Sequence, residues 1–161
     1  MPVLNIAMIG TDELAKEIAK PADQRDVHTY VHKENGPDGP RILSIIRPVK
    51  FPERLRPFLN AISAARVGVI EISAIDSTLG EVLVAFASSK IKLGLAIINP
   101  PDGEWIDEQQ VKMLFKQAGL DKWVFSVTDG IELRNQLYQF MDIIADDLHQ
   151  SSLSPLVVPI D

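Results

Sequence analysis

The 161-residue chain contains no cysteine and is short of basic residues. The absence of cysteine excludes disulfides, thiolate catalysis and cysteine-ligated zinc. Its 22 acidic residues outnumber the 16 lysines and arginines, which gives a formal net charge of -6 and argues against a long basic face for duplex DNA. No apolar run reaches the roughly 20 residues needed to cross a bilayer. We therefore predict a cytoplasmic protein that binds neither membranes nor duplex DNA.

Hydrophobic residues make up 46% of the chain and charged residues 24%, proportions typical of a soluble globular protein. Short apolar runs alternate with longer segments of helical periodicity, which predicts an α/β fold with a mostly parallel sheet. We expect a P-loop NTPase-like three-layer sandwich of about six strands, one antiparallel edge hairpin and five helices. The predicted strands are Val3–Ile9, Val27–His32, Arg41–Ile46, Val67–Ser73, Leu93–Ile98 and Trp123–Val127.

The connections between these strands contain turn and helix signals. The segment Glu34–Pro40 has two glycines and two prolines, so it predicts a tight turn that joins the second and third strands as an antiparallel hairpin. Capping residues and helical periodicity predict the later helices. The first of these helices spans Arg54–Ala65, and the second begins with a capping box at Thr78–Glu81. The third runs from Asp107 to Gly119, and the fourth spans Ile131–Leu148.

The segment after the first strand, Gly10–Glu17, keeps the spacing of a phosphate-binding P-loop, Gly-x4-Gly-Lys-[Ser/Thr]. Lys16 is retained, and its ammonium group would be able to reach a phosphate. Ala15 replaces the second glycine, and Glu17 replaces the hydroxyl residue that binds magnesium. The pattern indicates a phosphate-binding frame with altered chemistry.

Two local conformations are compatible with this segment. One is the wide phosphate cradle of a P-loop. The other is a tight strand-to-helix turn in which Thr11 caps a helix that begins at Asp12. Pro21 favours the second conformation, because it would close the helix only five residues after Lys16. A helix that starts at Asp12 leaves no cradle for a phosphate.

Polar residues also follow other predicted strands, at the edge where parallel α/β sheets bind ligands. Arg47 and Lys50 come after the third strand, Asn99 and Asp102 come after the fifth, and Ser126 lies at the end of the sixth. Because these strand ends meet at one edge of the sheet, the segments are expected to lie near Gly10–Glu17 rather than to be spread over the molecule.

In order and spacing, these segments resemble the nucleotide boxes of GTP-binding domains. Nearly the whole chain resembles the G domain of translational GTPases, the family of elongation factor Tu and its selenocysteine- and pyrrolysine-type relatives. Asn99–Asp102 lies at the Asn-Lys-x-Asp guanine box and Ser126 at the Ser-Ala box. The resemblance implies a G-domain-like domain over residues 1–150, and a tail or linker over 151–161 that leads towards a second, β-barrel domain.

The same resemblance implies GTP or GDP as the ligand, and tRNA or the ribosome as a partner. The nucleotide would be bound by residues from all of the boxes. These residues are Gly10, Ala15, Lys16, Glu17, Asn99, Asp102 and Ser126.

Family residues that hold magnesium and the attacking water are replaced in this chain. Glu17 and Arg47 stand at the two positions that complete the magnesium shell in the family, while Lys50 and Phe51 replace the γ-phosphate glycine and the histidine after it. We therefore expect no catalytic residue, no magnesium site of the family type, weakened guanine-nucleotide binding, and GTP hydrolysis that is lost or very slow. The favoured function is a pseudo-GTPase related to translation elongation factors.

Two alternative functions use the same scaffold. A non-nucleotide interaction module would bind a protein through the former switch surface, Phe51–Phe58, if Phe51 and Phe58 were exposed in one apolar patch. An active GTPase would require unconventional metal ligands such as Glu17.

Three further side chains stand out. His28 and His32 share one strand face, which we expect to be solvated because no third metal ligand has suitable spacing. Glu71 interrupts an apolar strand. We expect it either at an edge of the packing or paired with a basic residue, Arg66 or Lys92.

Overall fold

The computed structural model describes residues 2–25, 27–49, 51–126 and 130–152, which form an α/β domain with seven strands and five helices. The strands are β1 Val3–Ile9, β2 Lys20–Gln24, β3 Val27–Gly36, β4 Gly39–Pro48, β5 Val67–Ile72, β6 Leu93–Ile98 and β7 Val124–Ser126. The helices are α1 Asp12–Ile18, α2 Arg56–Ala64, α3 Ser77–Ala87, α4 Glu108–Gln117 and α5 Gly130–Ser152.

The seven strands form one sheet in the order β2-β3-β4-β1-β5-β6-β7. The neighbours β4-β1, β1-β5, β5-β6 and β6-β7 pair in parallel. Strand β3 pairs antiparallel with both β2 and β4. The predicted α/β class, the mostly parallel sheet and the antiparallel edge hairpin are confirmed. β2 is the strand missing from the prediction of about six: its five residues are all exposed, and it contains Pro21, which is tolerated at a sheet edge.

Helices cover both faces of the sheet and give it two cores. Helices α1 and α5 pack on one face, where Leu14, Leu137 and Tyr30 are among the buried side chains. Helices α2, α3 and α4 pack on the other, around Phe86 and Phe115. The parallel strands are apolar on both sides because each side is covered by helices.

Aromatic rings run as a chain of contacts through the second core. Ring centroids lie 4.7 to 5.8 Å apart along it, the spacing of favourable aromatic pairs. The side chain of Trp123 lies so close to Gly68 and Gly94 that a Cβ atom at either glycine would come within 2.6 Å of the indole ring. The order of the chain is Phe51, Phe58, Phe86, Trp123, Phe115 and Phe125.

Most predicted helix ends agree with the structure, with two differences. The cap of α3 is Asp76, whose carboxylate accepts the Leu79 amide at 3.0 Å, so the box predicted at Thr78–Glu81 begins too late. Helix α5 continues to Ser152, two residues into the predicted tail, and residues 153–161 lie outside the described part of the chain.

The chain reverses its direction of travel across the sheet between β1 and β5. From β1 it passes through α1 towards β2, β3 and β4, whereas from β5 it passes through α3 towards β6. The crevice beyond the carboxyl ends of β1 and β5 is therefore the topological switch point, which is where open α/β sheets bind ligands.

Candidate functional site

A cavity of about 650 Å³ opens at this switch point, within the size range of small-molecule sites. It is hereafter called the switch-point cavity. Apolar side chains such as Ile9, Phe51 and Leu79 form part of its wall. Its polar lining includes Glu71, Ser73, Asp76, Thr78, Asn99 and Asp102.

Glu71 connects two of the segments that the sequence placed at this edge. Its Oε1 accepts hydrogen bonds from the Thr11 amide at 2.7 Å and the Thr11 hydroxyl at 2.8 Å. Its Oε2 accepts from Asn99 Nδ2 at 2.8 Å. Of the two alternatives for Glu71, pairing with Arg66 or Lys92 is wrong: the carboxylate is held by uncharged donors from the loops after β1 and β6.

Of the two conformations open to the segment with P-loop spacing, Gly10–Glu17, the structure shows the tight turn. Thr11 is the N-cap of α1, and its hydroxyl accepts the Leu14 amide at 3.2 Å. A Cβ at Gly10 would lie 3.0 Å from two atoms of Glu71, so this glycine makes room for the carboxylate. Helix α1 begins at Asp12, and the wide cradle of a P-loop is absent here.

Arg47 anchors the start of α1 from the neighbouring strands. It is only 8% exposed, and its guanidinium donates to the Gly10 carbonyl at 3.2 Å and to the Tyr30 hydroxyl at 2.9 Å. The Tyr30 hydroxyl donates in turn to Asp12 Oδ1 at 2.6 Å. The remaining Arg47 nitrogen lies 3.1 Å from His28 Nδ1. The cation at this position therefore serves internal contacts.

The ionisation of this network follows from its hydrogen bonds. The pKa of Asp12 is lowered, first by its bond to Lys16 and then by its bond to Tyr30. The pKa of the Tyr30 hydroxyl is raised, first by burial and then by its bond to the Asp12 carboxylate. Both directions keep Asp12 charged and Tyr30 protonated at neutral pH.

The other predicted phosphate-side residues do not line the switch-point cavity. Ala15 is fully buried in the first core. Lys16 pairs with Asp12 at 2.8 Å, one turn earlier on α1. Glu17 lies beside α5, where its carbonyl accepts from Arg134 and its atoms would come within 2.7 Å of a Cβ at Gly130.

The predicted guanine-side residues are only partly brought together. Asn99 and Asp102 both line the switch-point cavity. Asp102 precedes Gly103, which has a φ of 81° in a turn closed by the Glu104 amide and the Pro101 carbonyl at 3.0 Å. Ser126 lines a separate pocket with residues of α5. Of the seven predicted nucleotide contacts, the cavity thus collects Gly10, Asn99 and Asp102.

The charge of the cavity lining is one-sided. Three carboxylates line it, from Glu71, Asp76 and Asp102, and no lysine, arginine or histidine is among the described lining residues. In the part of the chain that the structure describes, no three acidic, histidine or cysteine side chains are grouped so that they could hold a metal ion. Lys50 lies outside the described residues.

The two histidines are half-buried rather than on a fully solvated face: His28 lies beside Arg47 of β4, and His32 packs against Tyr138 of α5. His32 Nδ1 lies 2.8 Å from the Tyr138 hydroxyl, which also donates to the His32 carbonyl at 3.1 Å. Burial, followed by the positive charge of Arg134, lowers the pKa of His32. Burial, followed by the negative charge of Glu34, raises the pKa of Tyr138 to about 12.

The condition set for the interaction alternative, that Phe51 and Phe58 be exposed in one apolar patch, is not met. Phe58 is 1% exposed and stacks in the core against the half-buried Phe51. The exposed apolar residues of this region are Leu55 and Leu59, and elsewhere Trp105 is 80% exposed.

Sequence reasoning missed Asp76 as a cavity residue and did not place Glu71 in the site. A signal existed for Glu71, since it is a charged residue one position before the end of an otherwise apolar strand, close to the edge where α/β sheets bind ligands. Asp76 carried a weaker signal as a capping residue just beyond the same strand.

No known protein-family profile matches the sequence. The chain is 24% identical over 138 residues to the uncharacterized protein MJ0325 of Methanocaldococcus jannaschii. The match covers 85% of this chain and 42% of that relative, so the chain spans about two fifths of the relative's length. The name of the relative assigns no activity. No helix among the described residues is long and apolar enough to cross a membrane.

Proposed function

We propose that this chain is a pseudo-GTPase module of the translational-GTPase type, which neither holds a nucleoside triphosphate nor hydrolyses GTP, and which binds a partner at its switch-point cavity. The observation that supports it most directly is the start of α1 at Asp12, capped by Thr11 and braced by Glu71. A P-loop instead delays the helix so that free amides surround a phosphate.

The donors that a phosphate would need are already in use. The Thr11 amide is bonded to Glu71, the Leu14 amide to the Thr11 hydroxyl, and the Lys16 ammonium to Asp12. A triphosphate in the cavity would also face three carboxylates. Two like charges about 4 Å apart repel by roughly 4 kcal/mol at an effective dielectric of 20.

In this proposal, the positions that would support GTP hydrolysis are occupied by residues with other roles. Arg47 stands where the resemblance places a magnesium-shell aspartate, and its guanidinium is bonded to Gly10 and Tyr30. Phe51 stands where the family has histidine, and a phenyl ring donates and accepts no hydrogen bond to a water. Glu17 lies beside α5 rather than at the cavity, which argues against the active-GTPase alternative.

The proposed link to translation rests on the resemblance of the ordered segments to the G domain. The match to a relative of which it covers 42% supports a module that works within a larger protein. The partner would then be tRNA, the ribosome or another component of translation. The interaction role is supported by the open cavity and by the exposed Trp105 near it.

Calorimetric titration with GDP and with a non-hydrolysable GTP analogue tests the nucleotide part, with and without Mg²⁺, alongside a phosphate-release assay. We expect no binding at millimolar nucleotide and no phosphate release above buffer. Guanine-nucleotide binding that is abolished by Asp102→Asn, and retained in the matched cap variant Asp107→Asn, would overturn the closed-site proposal. Phosphate release lost in the same variant would overturn the pseudo-GTPase assignment altogether.

A further inference from the structure

Among the described residues that line the switch-point cavity, three carry a negative charge and none carries a positive one. Within the described part of the chain, the ion pairs involve Asp12, Asp23, Glu34, Glu108 and Asp142. None involves Glu71, Asp76 or Asp102, although all three line the cavity. The described hydrogen bonds to Glu71 come from the uncharged groups of Thr11 and Asn99.

The shape of the cavity favours an organic cation over a metal ion. Its volume of about 650 Å³ is far larger than one ion needs, and the described side chains do not group as metal ligands. Apolar wall residues such as Ile9 and Leu79 suit an aliphatic stem, while the carboxylates suit its charged head. Lysine and arginine side chains combine these two features.

The surface beside the cavity favours a protein as the source of that cation. A smaller pocket of about 260 Å³ is lined by Trp105, Ile106 and Asp107, and it shares Ser73 and Ala74 with the switch-point cavity. Trp105 is 80% exposed there. An exposed tryptophan beside a polar cavity is typical of the residues that dominate protein interfaces, whereas a free small amine would leave it uncovered.

We propose that the switch-point cavity binds a lysine or arginine side chain of a partner protein, with Asp76 and Asp102 attracting the charge and Trp105 packing against the partner's neighbouring residues. This inference rests on the proposed interaction function and specifies the chemistry of its partner. Glu71 adds negative charge while it continues to hold Thr11 and Asn99.

The test uses a short capped peptide with one arginine and two apolar neighbours, and the same peptide with citrulline, a neutral analogue of arginine. Amide chemical shifts of Gly10, Thr11 and Ser73 report occupancy of the cavity in the intact chain. We expect the arginine peptide to shift these signals, and the citrulline peptide to bind about fivefold more weakly, as expected for one partly exposed ion pair.

Three variants locate the interaction. Asp76→Asn keeps a capping side chain for α3, and combined with Asp102→Asn it should weaken arginine-peptide binding about tenfold. Asp121→Asn is the control, because Asp121 is an exposed carboxylate that lines neither the switch-point cavity nor the pocket beside Trp105. It should change binding less than about twofold. Trp105→Ala should weaken the peptide and leave binding of free agmatine unchanged.

Equal affinity for the citrulline peptide, or an unchanged affinity in the double variant, would overturn the cationic site. Tighter binding of free agmatine than of the arginine peptide would overturn the protein source and assign the cavity to a small amine. An absence of peptide-induced shifts up to millimolar concentration would also reject the proposal. GTP titrated into the same samples reports separately on the proposed function, since nucleotide binding there would contradict the closed phosphate site whatever the peptides do.

Discussion

Glu71 is the residue on which the candidate site depends. Its two carboxylate oxygens accept three hydrogen bonds, two from Thr11 and one from Asn99. It therefore ties the start of α1 to the loop after β6, across the end of its own strand. Asn99, which resembles a guanine-box residue, has a structural role in this contact.

Replacing Glu71 with alanine should destabilise the domain by about 1–3 kcal/mol, because it removes the acceptor of three hydrogen bonds. Denaturant unfolding followed by circular dichroism measures this change. The control is Glu81→Ala, at an exposed position of α3, which should stay within about 0.5 kcal/mol of the wild type. Equal effects of the two substitutions would contradict a bracing role for Glu71.

His32 should make the stability of the domain depend on pH. Its pKa in the folded state is lowered by burial and by Arg134, so the unfolded chain takes up the proton first. The stabilisation is complete above the unfolded pKa of about 6.5 and is lost as pH falls towards the folded pKa. Denaturation midpoints between about pH 7 and pH 5 should fall less steeply in His32→Phe than in the wild type.

The same two proteins compared at about pH 8 provide the reference, since His32 is neutral there in both states. Parallel pH profiles of the wild type and His32→Phe would show that this histidine does not couple protonation to folding.

At the scale of elements, the packing of β5 and β6 against the loop before β7 depends on glycine. Gly68 and Gly94 are direct partners in the parallel register, and Trp123 lies across both of them. Neither glycine has a positive φ. Each is required by the close approach of the indole ring rather than by backbone conformation.

Gly94→Ala should therefore destabilise the domain by about 1–3 kcal/mol, because the added methyl group would overlap Trp123 and force it to move. Gly80→Ala is the opposite control: Gly80 lies within α3 and has no heavy atom within 4 Å of a built Cβ. Alanine there should stabilise by about 0.5–1 kcal/mol. Thermal unfolding of both variants measures the difference, and a stabilising Gly94→Ala would show that Trp123 relocates without cost.

At the scale of the molecule, two cores share one sheet. Leu137 belongs to the core under α1 and α5, and Phe86 to the core under α2, α3 and α4. The parallel strands of the shared sheet contribute side chains to both cores. Loss of the packing on one face would therefore also disturb the packing on the other face.

We therefore expect one cooperative unfolding transition. Leu137→Ala should lower stability by about 2–5 kcal/mol and Phe86→Ala by about 3–5 kcal/mol. In a Trp105→Phe background, fluorescence reports Trp123 in the second core. The unfolding midpoint measured by Trp123 fluorescence should equal the midpoint measured by circular dichroism of the helices, also in Leu137→Ala. Two different midpoints would indicate that the cores unfold independently.

Much of the fold was predictable because its signals are local. The strands at Val3–Ile9 and Leu93–Ile98 were predicted with their observed ends, since both are short, mostly apolar runs followed by turn residues. β2 was not predicted because its exposed polar residues contain no alternation, and only pairing with β3 makes Lys20–Gln24 a strand. The helices were thus predictable from their periodicity, whereas the edge strand β2 is formed by its pairing with β3.

The sequence by itself determined the α/β class and most of the strands and helices, because these depend on residue type and short-range pattern. It left two conformations open for Gly10–Glu17. Only the tertiary structure decided between them, because the start of α1 is held by Glu71, 60 residues away in the chain, and by Arg47 from β4. Contacts at that distance leave no periodic signal, and they turn a phosphate-like spacing into a closed, braced turn.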